Sequence, residues 1–382
     1  MNASRRLYFA GPIVLLVIGL AASRVATGRS QPTGEQSPAD ATRRIVSAAA
    51  TLLASLDDAS RAKVRFPFSG PQRTRWSNFP SGIFQRQGLR LGDLTPNQRA
   101  AVMRLLQAAL SGPGYQKVVN IMEGDDALRR TDGGNGPGRG GRGGPPPGSQ
   151  PPSVAGSTQE TAGPGRGSPG GGVVFGRDEY YLAILGTPSA TAPWMLQFGG
   201  HHLAINLTMG GNQASMTPSL PAAQPATYTI EGRTVRPLGA ENDKSFALIN
   251  ALDAPQRSQA ILNYRVADLV LGPGEDGRTI QPEGIRASAL RPAQQDMLLE
   301  LIREWAGIMN DAYGVSRMAE IKASLPDTSF AWSGPTTNGS AAYFRIQGPR
   351  LVIEYAPQGG VDHIHTIYRD PTNDYGARFA GR

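Results

Sequence analysis

Apolar residues recur along this chain with two different periods, and the change of period separates helical from extended stretches. In "ATRRIVSAAATLLASL" the positions Ile45, Ala49, Leu52, Leu53 and Leu56 keep a 3.6-residue period. That predicts an amphipathic helix capped by Asp40 or Thr42 and ending near Asp57. Three more helix starts share one signature: "LTPNQRAAVMRLLQAAL" (94–110), "LDAPQRSQAILNY" (252–264) and "LRPAQQDMLLELIREW" (290–305). Each sets a Leu ahead of a Pro and a Gln. Proline suits the first helical turn because its missing N–H would have had no partner there, and Thr95 and Asp253 are natural caps. We read the recurrence as a repeated cap solution rather than a duplicated segment.

A period of two marks the other stretches. "EYYLAILG" (179–186), "WMLQF" (194–198) and "HHLAINLTM" (201–209) read as strands, and so do "AAYFRIQ" (341–347), "LVIEYA" (351–356) and "VDHIHTIY" (361–368). Gly and Pro turns between the last three predict an antiparallel meander. Residues 66–82, "FPFSGPQRTRWSNFPSG", read as irregular structure held by its aromatics. Helices and strands are segregated rather than alternating. The expected fold is therefore α+β, one large domain over 41–376 with antiparallel sheet.

Composition changes this picture at two places. Residues 131–172 are dominated by Gly and Pro, and so few of them can enter a core that we expect a disordered insertion within the domain. At the N-terminus, Arg5 and Arg6 precede an apolar run from Leu7 to Ala22 and then small residues. That is the layout of a signal peptide, or of an uncleaved anchor, over residues 1–28. Residues 29–40 form a polar linker. The folded part is then expected outside the cytoplasm, in the periplasm or cell envelope or secreted, touching membrane only through an uncleaved N-terminal segment.

Charge and cysteine content exclude several chemistries. The net charge is +8, but the arginines are scattered and not interleaved with aromatics, which argues against nucleic acid as a partner. There is no cysteine, which excludes disulfides and a thiol nucleophile. Neither a Gly-x-Ser-x-Gly elbow nor a phosphate-cradling loop is present.

The four histidines are the remaining candidate chemistry. They stand as two doublets, His201–His202 and His363-x-His365. A tight turn at Gly199-Gly200 would set Phe198 opposite His201 and Gln197 opposite His202. His201 then joins Trp194, Leu196, Phe198, Leu203, Ile205 and Leu207 on an apolar face, and His202 joins the polar face. His363 and His365 share a strand face, because side chains alternate. His202, His363 and His365 are thus candidate ligands of an open metal site, with His201 a weaker candidate. Zinc is the first expectation for the divalent ion, with iron, manganese or copper as variants.

For the catalytic groups, Glu354 or Asp370 would be base or fourth ligand and Arg369 an anion clamp. If Tyr355 pairs with Val361, Glu354 faces away from the histidines; a slip of one residue brings it opposite His363. Asp370 and Asp374 are also plain turn formers. The best functional expectation is a metal-dependent hydrolase acting on a small molecule, glycan or peptide. Alternatives are a redox-metal oxygenase or oxidase, or a non-catalytic glycan- or peptide-binding envelope protein using Trp76, Trp194 and Trp332.

The motifs "RWSNFP", "PWMLQFGGHHLAIN", "FAWSGP", "YFRIQGPRLVIEY" and "HIHTIYRDPTNDYG", in this order, resemble an exported bacterial family catalogued as domain of unknown function number 3500. The resemblance runs from about residue 42 to 376 outside the Gly/Pro insert. It implies export and motif positions at Trp76, His201, His202, His363, His365, Arg369, Asp370, Asn373 and Asp374. It implies no activity.

Overall fold

A computed structural model describes residues 36–131 and 172–381. The N-terminal segment read as leader or anchor, most of the linker and nearly all of the Gly/Pro insert lie outside the described residues.

The first run of elements is α1 (Pro38–Ala54), α2 (Asp58–Val64), β1 (Arg65–Phe66), β2 (Leu89–Arg90), α3 (Pro96–Ala109) and α4 (Gly112–Thr131). It continues with β3 (Tyr181–Leu185), β4 (Trp194–Gly200), β5 (Leu203–Gly210), β6 (Gln213–Ser215) and β7 (Leu220–Pro221). A small ribbon, β8 (Tyr228–Ile230) and β9 (Arg233–Val235), leads into the second run. That run is α5 (Gly239–Ala251), α6 (Ala254–Ala260), β10 (Ile285–Arg286), α7 (Pro292–Ala306), α8 (Asp311–Ala323), β11 (Ser329–Ser333), β12 (Tyr343–Gly348), β13 (Leu351–Pro357) and β14 (Ile364–Arg369). The short helix α9 (Ala377–Ala380) closes the chain.

The fold is α+β with antiparallel sheets, and the second run repeats the first in order. A helix, a seven-residue helix, a two-residue strand (two of them in the first run), two further helices and a meander occur in each. The packing repeats too: α1 lies on α3 and α5 on α7. β2 pairs antiparallel with β3, and β10 with β11. The parallel pairing of β1 with β3 has its counterpart in the parallel bridge from Ile261 to Trp332. The shared helix starts are therefore corresponding elements in part, since α3 and α7 hold the same place. Thr95 and Asp253 do cap their helices, each with a Gln three residues on that bonds back to the cap. The first helix is capped one turn earlier than expected, by Ser37, and Asp57 starts α2 rather than ending α1.

The two sheets join edge to edge. β7 pairs with β5, and the same segment bridges β14 antiparallel through Ser219–Tyr368 and Ala223–Ile364. Apolar side chains of β3–β5 pack on α1, α3 and α4. Those of β11–β14 pack on α5, α7 and α8. A third cluster, with Trp76, Met195, Leu220, Ile367 and Tyr375, lies on the faces turned away from the helices.

The β4–β5 hairpin corrects the expected register. Phe198 pairs with Ile205 rather than lying opposite His201, Gly199 pairs with Ala204, and Gly200 pairs with Leu203. The turn is His201–His202 itself. Both glycines are needed within the strand, not in the turn. A Cβ on Gly199 would meet the Leu203 carbonyl oxygen at 2.6 Å, and one on Gly200 would meet the Tyr180 ring at 2.7 Å. The shift from His201 to Ile205 is an even number of residues, so each strand residue keeps its expected face and only the histidines change place. The corresponding hairpin, β12–β13, turns at Pro349–Arg350, with Gly348 paired to Leu351.

Candidate metal centre

His202 occupies the second turn position with φ +59°. A non-glycine residue in that region costs about 1–3 kcal/mol and persists where its surroundings fix it. Here its N–H donates to the Asn78 carbonyl (3.1 Å), and its own carbonyl accepts from the Ala222 N–H (2.8 Å). The imidazole is thereby aimed across the join between the sheets, at the start of β14. His365 lies on β14 opposite Ala356. His363, just ahead of the strand, is fixed through its carbonyl by the Gln358 N–H (2.7 Å).

Three ring nitrogens converge there. His202 Nε2 is 2.9 Å from His363 Nε2, which is 2.9 Å from His365 Nε2. His363 Nε2 carries either one proton or one lone pair, so it cannot form a good hydrogen bond to both neighbours. One shared cation satisfies all three lone pairs. Zinc–imidazole bonds of about 2.0–2.1 Å at tetrahedral angles hold their nitrogens roughly 3.3 Å apart, so a slight opening of the observed triangle admits an ion. His202 and His363 also stay neutral, as ligands must. Burial first, and then the neighbouring rings, push His202 well below its ordinary pKa and hold His363 down to about 4.

Two carboxylates lie behind the triangle. Asp268 Oδ1 is 3.4 Å from His365 Nδ1, on the side away from the converging nitrogens. Burial alone would raise the Asp268 pKa; hydrogen bonds from His365, the Leu269 N–H and Gln358 lower it below the usual carboxylate value. Asp125, on α4, contacts His201 Nδ1 at 2.8 Å and accepts from the Tyr180 hydroxyl at 3.0 Å. Burial raises its pKa, against the lowering effect of His201. His201 itself packs on His202 with the rings tilted by 32° and their centroids 3.6 Å apart, and Phe175 packs on it at 4.8 Å. Asp125, His201 and His202 also bring ligand atoms within 4.8 Å of one another. The His202 Nδ1 atom is buried without a partner.

The structure does not bring Glu354, Arg369 or Asp370 to the histidines. Tyr355 pairs with Thr366, not Val361, so Glu354 pairs with Ile367 and shares the face of His365 farther along the sheet. Its carboxylate is occupied by the N–H groups of Val270 (2.9 Å) and Leu271 (2.8 Å) and by the Tyr343 hydroxyl (2.6 Å). Arg369 donates to the carbonyls of Leu271 and Gly272 and pairs with Asp276 and Asp374. Both residues thus grip the loop that presents Asp268. Asp370 accepts from Thr372 and pairs with Arg317 at 2.9 Å. Asp125, Asp268 and Asn78 were not singled out from the sequence. Of these only Asn78 carried a signal, as part of "RWSNFP".

Residues 38–377 match the family model described as "Protein of unknown function (DUF3500)". No curated protein and no solved structure matches the chain.

Proposed function

The chain belongs to this DUF3500 family, whose description assigns no activity, and we propose from the residues themselves that it is a metal-dependent hydrolase working outside the cytoplasm. The observation that carries the reading is the convergence of the His202, His363 and His365 Nε2 atoms at 2.9 Å spacings. Three neutral imidazoles leave the charge of a divalent ion undiminished. Such an ion lowers the pKa of bound water to about 7 and supplies a nucleophile. Zinc is the ion that this nitrogen-rich set suits first. His202 is buried while His363 and His365 are half-buried, so access is from the β13–β14 side. Asp268, behind His365, holds that ring in place as outer carboxylates do for metal-ligating imidazoles. The location outside the cytoplasm rests on Arg5, Arg6 and the apolar run to Ala22.

The test is metal analysis of the purified protein, followed by hydrolysis of ester, amide and phosphoester probes with and without a chelator. One zinc or manganese per chain and chelator-sensitive hydrolysis is the expected result. A chain that takes up no ion rejects the reading. Stoichiometric copper or iron with oxygen consumption moves the chemistry to redox.

A further inference from the structure

We infer that Asn78 is a fourth protein ligand of this centre, giving the ion three imidazole nitrogens and one carboxamide oxygen; the inference rests on the three-histidine reading.

The Asn78 carboxamide nitrogen lies 3.2 Å from His365 Nε2, a spacing like those among the ring nitrogens themselves. With an ion bound, the His365 lone pair points at the metal and no longer accepts a proton from the amide. A carboxamide has nearly the same shape after half a turn about its last bond, and that turn exchanges Nδ2 for Oδ1 without moving the backbone. The oxygen then faces the ion, and neutral amide oxygens are accepted donors for divalent metals.

Asn78 is also held as a ligand needs to be held. It is buried, and its carbonyl takes the His202 N–H at 3.1 Å. The two hydrogens of Arg86 Nη2 are shared among the carbonyl oxygens of Ser77, Phe79 and Gly200, each 2.7 Å away. That guanidinium ties the residues on both sides of Asn78 to the residue just before the His201–His202 turn. Two of the four donors, from chain segments far apart in sequence, are thereby fixed against each other before any ion arrives. Such prior fixing is what a precise first coordination shell requires. The oxygen adds no charge, so it weakens the ion's acidity less than a carboxylate would, and as a weak donor it leaves the ion able to take its water as a fifth ligand.

The experiment compares the wild type with Asn78→Ala and Asn78→Asp. Each is loaded with Co²⁺ and read by visible absorption, by chelator competition for affinity, and by the pH midpoint of the Co²⁺ spectrum. Asn78→Ala is expected to bind more weakly by at least the ~10–100-fold that loss of an outer-shell partner costs, with a changed Co²⁺ spectrum, which loss of an outer-shell partner would not give. Asn78→Asp is expected to bind more tightly, with a higher pH midpoint because the added charge weakens the ion's pull on its water. If Asn78→Ala fails to fold, the nearly isosteric Asn78→Asp still decides. Variants with wild-type affinity and spectrum overturn the role of Asn78 and leave the three-histidine site standing. A wild type that takes up no Co²⁺ removes both.

Discussion

His202 and His363 are separated by 161 positions in the chain, yet their Nε2 atoms lie 2.9 Å apart. One stands in the hairpin turn of the first run of elements and the other at the start of the last strand of the second. Their meeting depends on the edge pairing of residues 219–223 with β14, so the candidate centre forms only when the whole domain has folded.

Alanine at His202, His363 or His365 is expected to abolish stoichiometric metal binding and to leave a folded protein. His201→Ala is expected to keep the ion but to lose about 3 kcal/mol of stability, because the buried Asp125 carboxylate loses its partner. Metal content and melting midpoint of the four variants, measured side by side, check this. Loss of the ion from His201→Ala alone would contradict it.

Acid should destabilise the metal-free protein in a defined window. His363 is held at about 4 against an ordinary 6.5. Between those values the unfolded chain binds a proton that the folded chain does not, so stability rises with pH there. The contribution is complete above about pH 6.5 and is lost as pH falls toward 4. His202, lowered for the same reasons, carries the loss further down. The melting midpoint of metal-free protein at pH 7, 6, 5 and 4 measures it, and His363→Ala should flatten the slope.

Glu354 and Asp268 should separate cleanly. Glu354→Gln is expected to cost about 1–3 kcal/mol through weakened bonds to Val270, Leu271 and Tyr343, with little change in the chemistry of a bound ion. Asp268→Asn should leave the melting midpoint nearly unchanged and weaken metal binding by about 10–100-fold. Reversed outcomes would return Glu354 to the reacting centre.

Gly200→Ala is expected to cost about 1–3 kcal/mol, since the added Cβ meets the Tyr180 ring at 2.7–2.8 Å. It should also disturb His201, whose carbonyl accepts from the Tyr180 hydroxyl at 2.7 Å. Thermal melts together with metal titration would show the two effects in one protein.

Much of this fold is legible in the sequence, because alternation and capping are local. Trp194, Leu196, Phe198, Leu203, Ile205 and Leu207 fall on the apolar face that the period of two assigns, and His363 and His365 share a side for the same reason. The hairpin register was not legible. Gly199 and Gly200 carry an ordinary turn signature, and only the Tyr180 ring and the Leu203 carbonyl explain why they lie in the strand instead. Helix α5 has no side-chain cap at Leu238 to announce it. Asp125 and Asp268 reach the histidines from distant segments, and nothing in "EGDDAL" or "RVADLV" points to an imidazole.

The repeated order of elements gives the molecule the form of two copies of one unit fused and clasped by their last strands. Seen so, the turns His201–His202 and Pro349–Arg350 are the same position in the two copies, with different work. In one copy the turn offers an imidazole to the other copy's last strand. In the other, Arg350 pairs with Glu320 at 2.8 Å and lies 3.7 Å from Asp370, so that turn is fastened to α8 and to the end of β14 in its own copy. Equivalent joints of the two copies thus face opposite ways, one reaching across the seam to the candidate centre and the other closed within its own half.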